Sequence, residues 1–153
     1  MREIIFRGKR LDNGEWTEGY LYEHEPALVG IVSENDVPEP SKWFIVRTGF
    51  ADWNMPRPVE FVEVDPSTIG QYTGLKDKHG KRIFDMDILE SRYDDLYPDD
   101  VAIEVVQWFR NGWYIRQGKN LPDALDEYGV LPYSEVIGNI HDNLVLLKEE
   151  AQP

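Results

Sequence analysis

The chain has 153 residues, 41% of them hydrophobic, enough for one ordinary packed domain or two small ones sharing a core. Its 16 basic and 29 acidic residues give a formal charge of −13, which opposes a general phosphate-binding surface, because nucleic-acid affinity rests on Lys and Arg. There is no cysteine, so disulfides, thiol nucleophiles and thiolate metal sites are excluded, and a reducing, cytoplasmic setting is expected.

Most of the chain alternates on a period of two and is cut by Gly, Pro, Asn and Asp, which predicts short strands and tight turns. In the first half strands are expected at Glu3 to Arg7, Glu15 to Tyr22, Ala27 to Val32, Trp43 to Thr48 and Val59 to Val64. Asp12-Asn13-Gly14 supplies the turn between the first two. Ser33 to Ser41 and Ala51 to Pro58 carry Pro and polar residues without periodicity and read as loops. In the second loop Trp53 and Met55 either form an apolar contact surface or fold back over the protein body, with burial favoured.

Further strands are expected at Thr68 to Thr73, Ile83 to Ser91, Val101 to Phe109, Trp113 to Gln117 and Glu135 to Ile140. Asn111-Gly112 is the strongest hairpin signal. Leu121 to Tyr128, with Pro122 in its first turn, predicts a short helix, and a last helix begins near Asn143. The sum is a mainly β chain. Residues 1–64 form a β-meander, and 65–150 a small barrel of the SH3-like kind on which the N-terminal strands pack.

The middle of the chain reads QYTGLKDKHGKRIFDMDIL. Asp77-Lys78-His79-Gly80 suits a type I turn followed by a left-handed residue, a position Gly80 fills without a Cβ clash. Asp77 accepts from backbone N–H groups within that turn, and Asp85-Met86-Asp87 makes a second bend. Lys76, Lys78, His79, Lys81 and Arg82 make the tip basic and a candidate interaction surface, with solvated edge protection as the simpler reading.

REIIFRGKRLDNGEWTEGYL, this middle stretch, and YSEVIGNIHDN, in that order, resemble the YopX-like family of small phage and prophage proteins. The resemblance implies a mainly β fold with a barrel-like part, a phage or prophage origin and action in the bacterial host cytoplasm. The family has no established activity. Two departures stand out: His79 where the family usually has Asn, and Met86 where it usually has Gly, which makes a positive φ at that bend less expected.

Catalytic patterns are missing. The three histidines His24, His79 and His141 are isolated in sequence, and there is no phosphate loop, nucleophile elbow or calcium loop. His141 is placed just past the last strand, where it would cap the following turn. Asp85 and Asp87, with Glu104 in the next strand, would make a divalent-cation or acid–base site, but turn formation explains them more simply. No cofactor and no metal site are therefore expected. The expectation is a non-enzymatic protein that binds another protein, with homo-oligomerisation as a route. A nucleic-acid module using the N-terminal cations and the Lys76 to Arg82 hairpin is the alternative. No apolar run approaches the ~20 residues of a membrane helix, so no membrane partner is expected.

Overall fold

The computed structural model describes residues 1–26, 39–52, 55–92, 99–126 and 131–147. The chain divides into two compact units, residues 4–70 and residues 1–3 with 71–153. Both are antiparallel β-structure.

The first unit is a meander of β1 (Phe6–Lys9), β2 (Trp16–His24), β3 (Lys42–Asp52) and β4 (Met55–Glu63), each hydrogen-bonded to the next. Alternation sends Ile45 and Val62 to the buried face. Past β4 the meander curls until Val64 bridges Arg10, with Leu11 N–H donating to Glu63 O at 3.1 Å and Asp65 N–H to Lys9 O at 2.8 Å. Gly8 permits this curl, since a Cβ there would lie 3.0 Å from the Val64 side chain. The expected loop at Ala51 to Pro58 is instead a hairpin, with Asp52 opposite Met55. Pro56 and Pro58 are tolerated because β4 is an edge strand whose register shifts twice against β3. The expected strand Ala27 to Val32 and Trp53 lie outside the described residues. Thr68, expected to open a strand, sits in a 3₁₀ turn (Pro66–Thr68), where its hydroxyl accepts from Lys9 N–H and donates to Asp65 O.

In the second unit β5 (Gly70–Lys76) and β6 (Arg82–Phe84) form a hairpin. A five-stranded sheet follows, made of β7 (Asp87–Arg92), β8 (Val101–Phe109), β9 (Gly112–Arg116), β10 (Asp123–Ala124) and β11 (Ser134–Asn139), in the order β10-β9-β8-β7-β11. Its pairing is open at both ends, so the described residues show two-sided β-structure and no closed barrel. Ile83, Leu89, Val106, Ile115, Leu131 and Val136 form the core, with Leu75, Trp113 and Leu125 against it. The Ser91 and Ser134 hydroxyls, both fully buried, bond to each other at 2.9 Å across β7 and β11.

One local expectation fails for a tertiary reason. Leu121 to Tyr128 does not start a helix: Asp123 and Ala124 pair with β9, and Leu125 N–H donates to Trp113 O at 2.9 Å. A marginal two-turn helix yields to that pairing and to burial of Leu125. The hairpin signalled by Asn111-Gly112 forms between β8 and β9, with Arg110, at φ 56°, as its left-handed residue and Gly112 paired with Phe109. Matching buried Val106 with Ile115, and Trp108 with Trp113, fixes this register and leaves Arg110-Asn111 as the loop. After β11 the Asn139 Oδ1 accepts from His141 and Asp142 N–H at 3.0 and 3.1 Å and closes the following turn.

The bend before β7 keeps a positive φ although its residue is Met86, at 66°. Backbone partners hold it on both sides. Met86 N–H donates to Val106 O at 2.8 Å, Ile140 N–H donates to Met86 O at 3.1 Å, and Asp87 Oδ2 accepts from Phe84 N–H at 2.8 Å. Such surroundings over-determine a conformation that a non-glycine residue avoids.

Asp77 ties the β5–β6 turn to β11. Its Oδ1 accepts from His79 and Lys81 N–H, both at 2.9 Å, and its Oδ2 from Val136 N–H at 3.0 Å, 59 residues on. Gly80, at φ 76°, donates to Asp77 O at 2.9 Å, and Lys78 N–H donates to Ser134 O at 3.0 Å. Burial by itself would raise the Asp77 carboxyl, but the Val136, Lys81 and His79 N–H groups, with the His79 charge, outweigh it and hold the group below the usual carboxylate range.

A folded-state carboxyl held low contributes stability that is present above the unfolded value, about 3.9, and is lost as pH falls through the lower folded one. Asp77→Asn, which points an amide N–H₂ at backbone donors, is expected to cost about 3 kcal/mol in urea unfolding at pH 7. The gap between Asp77→Asn and the parent should shrink on acidification below about pH 4; a gap constant with pH would contradict the assigned role. At position 86, Met86→Gly should be more stable than Met86→Ala by about 1 kcal/mol, the reverse of their order at an ordinary strand position. Chemical denaturation of the two variants checks this.

Candidate functional site

The basic hairpin is largely neutralised by its own unit. Lys78 Nζ lies 2.7 Å and His79 Nε2 3.5 Å from the carboxylate of Glu135 on β11, and Arg82 reaches Glu3 at 3.0 Å. The Lys78 hydrogen bond holds the Glu135 carboxyl below its usual range. Arg82 also lies over the Tyr72 ring, 5.6 Å from its centre. Lys76 and Lys81 are exposed and form no ion pair with the described residues. The turn residues Asp77 and Gly80 are architectural, as are Asn111 and Gly112 at the next hairpin.

Asp87, only 1% exposed, spends one oxygen on Phe84 N–H, and Glu104 is buried on β8 opposite Leu89. Among the described residues, no group of three or more His, Asp or Glu side chains is placed to hold a metal ion. Of the loop pair, Met55 opens β4.

Two surfaces that the sequence did not single out are better defined. The first is the outward face of the N-terminal sheet. Tyr20 stands opposite Val46, Val46 opposite Phe61, Tyr22 opposite Phe44, and Phe44 opposite Glu63. Tyr22 lies 6.0 Å from Phe61, nearly edge-on, and 6.3 Å from Phe44; Phe44 lies 6.5 Å from Phe61. Tyr20, Tyr22 and Phe61 remain 58%, 43% and 56% exposed. Lys42, opposite His24, and the Arg47–Glu60 pair at 3.4 Å place both signs of charge on the same strands. The signal for this face was the alternation in GYLYEH, where Tyr20 and Tyr22 flank Leu21 and all three cannot face inward.

The second is a cleft of about 950 Å³ in the C-terminal unit. Val105, Gln107 and Arg116 form one wall from the face of β8 and β9 opposite to the core. Met86, Ile140 and Leu147 form the apolar side, and the turn Gln117 to Asn120 closes the rim. Nothing in the spacing of these residues announces it, because they come from five separate stretches of chain.

These features lie on a fold shared with a solved protein. The chain is similar to protein EF1440 from Enterococcus faecalis, at 20% identity and a TM-score of 0.52, with 96% of this chain and 99% of that one covered. No curated protein matches the sequence. The family model described as YopX protein matches residues 30–148, and the chain belongs to the YopX family.

Proposed function

We propose that this protein is a non-enzymatic accessory factor, of phage or prophage origin and acting in the host cytoplasm, that binds another protein through the outward face of its first sheet. The observation that carries the reading is the exposed set Tyr20, Tyr22 and Phe61, with half-buried Phe44 in ring contact with Tyr22 and Phe61. Isolated apolar residues at a surface are ordinary, but a contiguous aromatic group with a mixed-charge border has the composition of a contact core and its rim. A homo-oligomer built on the same face is one form of the proposal. The alternative nucleic-acid reading draws less support, because Lys78, His79 and Arg82 already have carboxylate partners and the aromatic face has Glu60 and Glu63 beside it. The buried Asp77 carboxylate serves backbone donors, which is structural use.

Crosslinking and pull-down from host cells should return one dominant partner, or a second copy of the chain. Replacing both Tyr22→Ser and Phe61→Ser should weaken that contact about tenfold or more, with circular dichroism and melting temperature near those of the parent, since both side chains are substantially exposed. Recovery of nothing, or of a partner indifferent to the double replacement, would overturn the proposal.

A further inference from the structure

The cleft between β8, β9 and the Gln117 to Asn120 turn has a chemistry unlike the rest of the chain. The protein carries 29 acidic residues, yet none of the described residues lining this cleft is acidic, and two, Arg116 and Lys119, are cationic. Neither cation forms an ion pair with a described residue. Arg116 is positioned: its Nε donates to Asn120 O at 3.1 Å, while Asn120 N–H donates to Gln117 O at 3.0 Å and closes the turn that carries Lys119. The remaining lining combines the amides of Gln107, Gln117 and Asn120 with apolar Val105, Met86, Ile140 and Leu147.

We infer that this cleft binds a small amphiphilic organic anion, whose phosphate or carboxylate is held by Arg116 and Lys119 and whose body lies against Met86, Val105, Ile140 and Leu147. The volume lies within the range of small-molecule sites, and a few convergent polar groups on an apolar lining are their usual composition. An anion gains more here than on the open surface. The guanidinium is held by a backbone carbonyl before binding, so less side-chain freedom is lost when an anion is bound. The acidic body elsewhere disfavours non-specific anion binding, which leaves this cleft selective by contrast.

The test titrates the full chain with octanoate and adenosine monophosphate, the carboxylate and phosphate arms, and with octanol and adenosine as their uncharged counterparts. Amide signals of Gln117 to Asn120 and the Met86 methyl signal are followed by NMR. Saturable shifts are expected with at least one anion, with the uncharged counterpart about tenfold weaker or worse. The anion that binds identifies which headgroup the site takes. Lys119→Gln, on an exposed turn, and Arg116→Lys, which keeps the charge but not the planar donor fork, should each weaken binding severalfold. The inference fails if neither anion gives saturable shifts up to about 10 mM, if the uncharged counterparts bind equally well, or if both variants bind like the parent.

Discussion

Three backbone N–H groups converging on the Asp77 carboxylate are the constraint on which the C-terminal unit depends. Two come from the turn itself and one from Val136 on β11, so a single side chain both closes the β5–β6 hairpin and anchors it to a strand 59 residues away. The backbone adds Lys78 N–H to Ser134 O, and the side chains add Lys78 to Glu135. The exposed ion pair contributes little by comparison, since solvent screens it. The buried carboxylate is different: its removal would strand donors in a place where water does not replace the acceptor. Anchored in this way, the turn brings Ile83 and Leu75 to the core formed with Leu89, Val106 and Val136.

The same logic separates what was legible in the sequence from what was not. Local chemistry was legible wherever a residue acts within a few positions of itself. Gly80 at a positive φ and Val101 to Phe109 as a strand follow from turn chemistry and from period-two alternation. Contacts at long separation were not legible. The third bond of Asp77, the pairing of Asp123 and Ala124 with β9, and the left-handed Arg110 are each set by a partner strand. Propensity favoured a helix at Leu121, and pairing of Asp123 and Ala124 with β9 and packing of Leu125 against the core decided otherwise. The aromatic face was hidden for a related reason. In GYLYEH both sides of the strand are apolar, so alternation places Leu21 and the tyrosines on opposite faces without saying which face is wet.

Met86 joins the strain in the fold to the cleft. The family resemblance puts glycine at this bend, where a positive φ costs nothing, yet this chain holds Met86 at 66° and keeps the hydrogen bonds to Val106 and Ile140. Glycine would satisfy the backbone equally well and would leave the cleft without one of its apolar walls. The backbone hydrogen bonds hold the left-handed conformation whichever residue stands there, so what distinguishes methionine from glycine is the side chain it adds to the cleft lining. The same cleft is lined by two cations, Arg116 and Lys119, without ion-pair partners among the described residues. Strain, an apolar wall and unopposed positive charge meet within one cleft, although each arises from a different part of the sequence.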